Sequence, residues 1–449
     1  MDLLKSLFKG DKVIWGVFLM LCMISVIEVF SAASTLTYKS GDYWAPISGH
    51  LLYMMLGAGV VLIVHKMPCK LFRLIPVLAL PTAAVLLSIT MLFGEKVNGA
   101  GRWLAIGGIN FQPSELGKLA VISSTALILA MMQEEKGANP RAFKYIMWIT
   151  GVTCLLIAPE NFSTAGMLFG VTVLMMFIGR VPFKQLGKML GSIALIAGLS
   201  GAALFATPNE VLDDIPGLHR AVTWKKRLAG FGGNGEVAPE DYDINKNAQV
   251  AHANIAIATS HLIGKMPGNS VERDFLSQAF SDFIYAIIIE ELGLLGGAFV
   301  VFLYIVLLLR TGRIAGQCDK KYLSLMVMGL ALLLVSQAML NMMVAVGLFP
   351  VTGQPLPLIS KGGTSTLINS AYIGIILSVS RYVEKKKEEE LAISQNNDED
   401  RGNENQSLEP VPTVLNYGFI IFIQKWTKTA SESSLVEEEQ EDIYSPQYP

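Results

Sequence analysis

Few residues in this chain are of types that do chemistry, and most stand at the margins of apolar runs. Asp282, in Ser281-Asp-Phe-Ile284, lies where a long polar segment enters a long apolar one. A carboxylate there could work on a substrate. Equally, Ser281 or Asp282 could only accept hydrogen bonds from the first N–H groups of the next helix. Glu115 and Lys118 are three residues apart, share a helical face and could pair; alone, they would be a first-turn acid and a snorkelling lysine. Arg102 beside Trp103 suits an interfacial anchor or a phosphate contact. Ser360-Lys361-Gly362-Gly363 joins a cation to two glycines whose N–H groups can approach an anion closely, although a plain turn would use the same residues.

Three further sets need an account. The basic segment Pro216–Arg227, with Leu218 and Val222, reads as an interfacial helix that either adheres to anionic headgroups or holds a lipid-linked pyrophosphate through Arg220 and Arg227. A second helix is expected within Asn247–Gly264. Asp241-Tyr-Asp243 has the acid-x-acid form that nucleotide-sugar transferases use for a metal, but the α/β domain those enzymes need is absent. Glu28, Glu290 and Glu291 lie within apolar runs and require partners. On a straight helix, Glu290 would sit about 12 Å deeper than Asp282, with Glu291 turned away, so structural or pathway roles are expected for both.

The elements that position these residues are membrane helices. Of 449 residues, 52% are hydrophobic and 16% charged, with a mean hydropathy of +0.47. Apolar runs near 13–34, 50–66, 72–94, 115–132, 143–158, 164–180, 186–206, 282–310, 322–347 and 366–382 predict an all-α polytopic membrane protein of about ten transmembrane helices. The first run is too long for a cleaved signal. Lysines and arginines concentrate in alternate loops, which puts both termini in the cytoplasm and the 207–281 loop, between helices 7 and 8, on the outer side. Every glycine-rich polar segment singled out above then faces outward, away from cytosolic nucleotides. With a net charge of −2 there is no basic surplus to suggest nucleic acid. The four cysteines show neither a disulfide framework nor metal spacing. Residues 384–449 form a charged tail expected to be disordered and cytoplasmic, interrupted by an apolar segment at 414–426 too short to span.

Taken in order, Asn98-Gly99 with Arg102-Trp103, Phe111-Gln-Pro-Ser-Glu115 with Lys118, Ser281-Asp-Phe-Ile284 with Glu290-Glu-Leu-Gly293, Gly347-Leu-Phe-Pro350 with Gly353, Leu356-Pro-Leu-Ile-Ser360, and Gly362-Gly363 resemble the FtsW/RodA family of shape, elongation, division and sporulation proteins. The resemblance covers residues 1–383 and leaves the tail aside. It implies peptidoglycan glycosyl transfer: polymerisation of lipid II at the outer face of the bacterial cytoplasmic membrane, alongside a class B penicillin-binding transpeptidase and other divisome proteins. Asp282 matches the family's essential aspartate. The family's Pro-Asp-Leu/Phe-Gly-Thr-Ala is altered here to Pro159-Glu-Asn-Phe-Ser-Thr164-Ala165, one residue longer, and Lys361 replaces a frequent tyrosine. Under this reading Asp282 is the general base, and Arg102, Lys118, Arg220, Arg227 and Lys361 stabilise the departing pyrophosphate. Glu115, Ser360, Gly362 and Gly363 complete the expected substrate site. Mg²⁺ or Mn²⁺ would be the expected cofactor, with no assignable ligands and no nucleotide. A lipid II flippase and a non-catalytic divisome scaffold are the alternatives. The long charged tail leans towards the division branch over the elongation branch.

Overall fold

Inside a bilayer every backbone polar group needs a protein partner, which leaves helices as the elements these apolar runs can form. The computed structural model describes residues 8–32, 45–93, 95–97, 100–106, 109–207, 248–276 and 279–404. Asn98, Gly99, Arg220, Arg227, Asp241, Asp243 and the 414–426 segment lie outside the described residues. Each of the ten apolar runs carries a helix: α1 (Lys12–Ala32), α2 (Ala45–Lys66), α3 (Leu74–Phe93), α4 (Pro113–Met131), α5 (Pro140–Ile157), α6 (Phe162–Ile178) and α7 (Phe183–Ala206), then α9 (Ile284–Gln317), α10 (Lys321–Ala345) and α11 (Thr364–Glu404). Between α7 and α9 lies α8 (Ala248–Ala258), within the stretch expected to hold a second loop helix. It packs against α9, burying Ala251, Ala253 and Ala256.

Eight helices among the described residues are long and apolar enough to cross a membrane. The two of the ten that fall short, α5 and α6, correspond to short runs in the sequence, 143–158 and 164–180. The chain is a multi-pass α-helical membrane protein, and its packing is inverted accordingly. Leu92, Phe93, Trp148, Leu155 and Leu195 are exposed, whereas Glu28, Lys118, Glu290 and Glu291 have no accessible surface. α10 is the central post, touching α4, α6 and α9. The glycine-rich polar segment before α4 forms a three-stranded antiparallel sheet, β1 (Glu95–Val97), β2 (Ala100–Ile106) and β3 (Ile109–Phe111). At the other end α11 continues past the expected close of its span near 382, through Lys385-Lys-Lys-Glu-Glu-Glu390, a run of good helix formers with oppositely charged (i, i+4) pairs. The chain divides into two compact units at Lys387/Glu388, and of the second unit only the end of α11 is described.

One expectation is corrected outright: α9 is not straight. Gly293 adopts φ 75° and ψ −177° within it, so a short helix and a long one meet there at a corner. Tyr285 Oη donates to Gly297 O at 3.2 Å, although a straight helix would separate those residues by about 18 Å. The first segment therefore folds back beside the second. The corner lies beyond Glu290, so it does not alter the interval of about 12 Å expected between Asp282 and Glu290. The corner is closed by the segment before it. Lys265 N and Met266 N donate to Glu290 O (2.9 Å) and Glu291 O (2.8 Å), and Leu294 N donates to His261 O at 3.2 Å. Backbone groups freed by the bend are thus re-satisfied.

Gly264 (φ 81°) and Gly293 meet backbone to backbone at this corner, and a Cβ on either would collide with main-chain atoms of the other strand of the corner. Gly264→Ala and Gly293→Ala are each expected to destabilise the fold by about 1–3 kcal/mol or more, from strained φ plus collision. In thermal unfolding of detergent-purified protein both should melt well below wild type. Gly312→Ala, where the added methyl meets open space, should not.

Candidate functional site

Proline and glycine break the chain between α10 and α11, leaving residues 346–363 irregular. Irregular backbone within a membrane protein needs acceptors and donors from elsewhere. Four side chains from three helices supply them. Asn341 Nδ2 donates to Gln354 O (2.7 Å), Gln337 Nε2 to Pro355 O (3.0 Å), Tyr304 Oη to Pro357 O and Ser25 Oγ to Ile359 O (2.6 Å). Gln337 and Asn341 are one turn apart on α10, hence on one face.

That fixed loop holds the segment carrying Asp282. Lys361 N donates to Phe280 O (3.0 Å), Ser360 Oγ to Ser281 O (2.7 Å) and Asn341 Nδ2 to Asp282 O (2.8 Å). Three successive carbonyls are so clamped, and Ser360 Oγ is itself oriented by Leu356 N at 2.7 Å. Ser281 Oγ donates to Asp282 Oδ1 at 3.1 Å. The capping alternative is not realised: α9 begins at Ile284, Phe283 holds the cap position, and no side chain caps it. Asp282 is half-buried, its backbone immobilised while its carboxylate lies just outside the helix.

Behind the loop lies the pair expected from spacing. Lys118 Nζ contacts Glu115 Oε1 at 2.8 Å and donates to Gln337 Oε1 at 2.7 Å. Lys118 is fully enclosed, so in this conformation it acts on the loop through Gln337 rather than facing a substrate. Tyr372 Oη donates to Glu115 O (3.2 Å). From α6, Thr164 Oγ1 accepts from Gln354 Nε2, and Asn161 Oδ1 accepts from Thr164 N (3.2 Å). The Asn161 of the altered Pro159–Ala165 motif is thus a helix cap.

Other expected residues gather less completely. Lys361 is half-buried, with Nζ 5.4 Å from the centre of the Phe280 ring, and burial lowers its pKa from the ordinary lysine value. Gly362 and Gly363 (φ 49°) directly precede the first turn of α11, and Thr364 Oγ1 there donates to Asn110 O of β3 at 3.2 Å. That bond ties the β-sheet to the loop. Arg102 sits in β2 at a register irregularity opposite Glu95 and Lys96. Glu290 and Glu291 are not part of this arrangement; they hold the α9 corner. Glu290 Oε1 pairs with Lys265 Nζ (2.7 Å) and accepts from Val271 N (3.1 Å), while Glu291 Oε1 accepts from Ser31 Oγ and Ser270 N. Among the described residues no three His, Cys, Asp or Glu side chains gather to hold a metal ion.

Sequence reasoning missed Gln337, Asn341, Thr164, Gln354 and Tyr304. Gln337 and Asn341 were findable, being polar residues four apart on a helix otherwise apolar on that face. Breaking the buried pair by Lys118→Met alone should cost about 3–5 kcal/mol, because Glu115 is left uncompensated. The double change Glu115→Gln/Lys118→Met should recover a large part of that loss. Thermal unfolding of the four proteins in a mutant cycle reads the coupling.

Comparison with known proteins places this geometry. Residues 11–385 match the family model for FtsW, RodA and SpoVE, described as "Cell cycle protein". A probable peptidoglycan glycosyltransferase FtsW of Alcanivorax borkumensis is 31% identical over 376 residues, spanning 82% of this chain and 92% of that protein. Another, of Enterococcus hirae, is 26% identical over 407 residues, spanning 86% and 96%. Among solved structures, a chain of a peptidoglycan synthase complex aligns with TM-score 0.65 at 22% identity, over 84% of this chain and 99% of that one. Thermus thermophilus RodA aligns with TM-score 0.57 at 21% identity, over 83% and 97%. The two structures bear on the fold, and the family model and relatives on descent: this chain belongs to the FtsW/RodA/SpoVE family.

Proposed function

We propose that the chain is a peptidoglycan glycosyltransferase that polymerises lipid II at the outer face of the cytoplasmic membrane during cell division, with Asp282 as general base. The observation that carries this reading is the triple clamp on the carbonyls of Phe280, Ser281 and Asp282, which ties the backbone of one half-buried acid to the loop that carries Lys361 and leads into α11. A base whose position is fixed before substrate arrives needs no reorganisation in the transition state.

In the reaction, the carboxylate of Asp282 takes the proton of the acceptor sugar's 4-hydroxyl. The oxygen attacks the anomeric carbon of the donor, the bond to the lipid pyrophosphate breaks, and the α linkage becomes β. Negative charge accumulates on the leaving pyrophosphate. Lys361, the N–H groups of Gly362 and Gly363, and the first turn of α11 are the groups at hand to receive it. Arg102, Arg220 and Arg227 are assigned to the same task from sequence. Lys118 and Glu115 serve as positioning residues, through Gln337 and Pro355. Mg²⁺ or Mn²⁺ would be held chiefly by the substrate's own phosphate oxygens and would screen the leaving charge, since among the described residues no cluster of metal-ligating side chains is present.

Both termini are taken as cytoplasmic, with α5 and α6 as a pair of short spans that bring the total to ten. The partners are then a class B penicillin-binding transpeptidase and other divisome proteins. Transport of lipid II is the competing reading. Of its candidate gating acids, Asp282, Glu28 and Glu290, the last is engaged in holding the α9 corner, so transport would rest on Glu28 or Asp282.

Purified protein with its matched transpeptidase should form glycan strands from labelled lipid II, and Asp282→Asn should lose that activity by about 10²–10⁴-fold, the usual worth of a general base. Its melting temperature and transpeptidase binding should stay at the wild-type level. Undiminished polymer from Asp282→Asn would refute the assignment. If neither protein makes polymer while vesicles show lipid II translocation, the transport reading takes over.

A further inference from the structure

The end of the bundle opposite Asp282 carries a second built feature. Arg73, in the single turn before α3, the last turn of α4, and Lys320–Tyr322 at the start of α10 enclose a cavity of about 390 Å³. Lys321 is 20 residues from Asn341 along α10, about 30 Å away from the loop that clamps Asp282. The cavity is therefore separate from the proposed active site.

Its lining divides into two chemistries. On one side stand three cations, Arg73, Lys320 and Lys321, and no acid lines the cavity. Lys320 Nζ lies 4.3 Å from the centre of the Tyr382 ring, while among the described residues neither Arg73 nor Lys321 is in an ion pair. The neighbouring acid, Asp319, is occupied by Lys386 (3.2 Å) and Tyr382 Oη (3.1 Å). On the other side the wall is apolar and opens outward: Leu127 is half-buried and Met131 76% exposed at the end of a membrane helix. The floor is rigid, because buried Tyr322 donates its hydroxyl to Phe72 O at 2.7 Å.

Unpaired cations at a helix-bundle edge attract a phosphate, and an adjoining apolar wall facing the bilayer suits a ligand with chains attached. A soluble anion has no use for that wall. We propose that this cavity binds the phosphate headgroup of an anionic phospholipid, with its acyl chains lying along Leu127 and Met131 of α4. The bound lipid links the starts of α3 and α10 to the end of α4. The same helices meet the Glu115–Lys118–Gln337 network at their far ends, so occupancy reinforces the packing that supports the loop.

The test titrates phosphatidylglycerol into the delipidated, full-length protein in neutral detergent and counts bound lipid by native mass spectrometry. Wild type is compared with Arg73→Gln/Lys321→Gln and with Arg141→Gln/Lys144→Gln, which removes two exposed cations elsewhere on the surface. The cavity double variant should bind one phosphatidylglycerol about tenfold or more weakly than wild type, at roughly the worth of two basic contacts. The surface control should match wild type, and phosphatidylcholine should not distinguish the three. Arg73→Lys/Lys321→Arg, which keeps both charges, should bind as wild type does, separating charge from any loss of fold. Equal affinity in wild type and the cavity variant overturns the proposal, as does equal loss in the surface control. Displacement of the lipid by inorganic phosphate alone would reassign the cavity to a soluble anion and also overturn it.

Discussion

The structure depends on how an irregular loop is satisfied inside a membrane protein. Residues 346–363 cannot be helical, and their carbonyls would each forfeit several kcal/mol if buried without donors in lipid. The chain meets this need with side chains from separate helices: Ser25 of α1, Tyr304 of α9, and Gln337 and Asn341 of α10. Satisfying the loop is the same act as building the site. Asn341 reaches both Gln354 O and Asp282 O, and Ser360 links Leu356 N to Ser281 O, so the loop and the backbone that carries Asp282 are held by shared atoms. The buried Glu115–Lys118 pair then has a stated purpose. Its position behind Gln337 orients the amide that holds Pro355, which a pair of apolar residues could not do.

A second device keeps the entry to α9 in place. The Gly293 corner turns the segment just after Asp282 back on the rest of the helix, and two consecutive buried glutamates anchor the preceding chain to it. Glu290 takes Lys265 and Val271, while Glu291 takes Ser270 and Ser31 of α1. Both hold Ser270 of the preceding segment, and Glu291 adds α1 through Ser31. The corner and the clamped loop therefore fix Asp282 from both directions along the chain.

Much of this was legible in the sequence because it follows from composition and local spacing. The ten helices follow from apolar length, the Glu115–Lys118 pair from a three-residue interval, and the breakdown of helix after α10 from proline and glycine. The corner in α9 was not legible. Gly293 stands between Glu290-Glu291 and a long apolar run, and a helix is the default there until a positive φ is imposed by the approach of Gly264 from another part of the chain. Nor could the clamp be read, since Asn341, Ser360 and Asp282 are brought together by packing, with no fixed interval between them. The family motifs pointed to the residues; the distances between them came from the fold.

The central claim is that Asp282 acts as a base, and pH tests it most directly. The rate of glycan-strand formation from lipid II is to be measured across the acid range, for wild type and for the residual activity of Asp282→Asn. A carboxylate base loses activity on protonation, so the wild-type rate should fall by about tenfold per pH unit along its acid limb. The variant should show no such limb. The same acid limb in both proteins would mean that another group takes the proton, and would contradict the account.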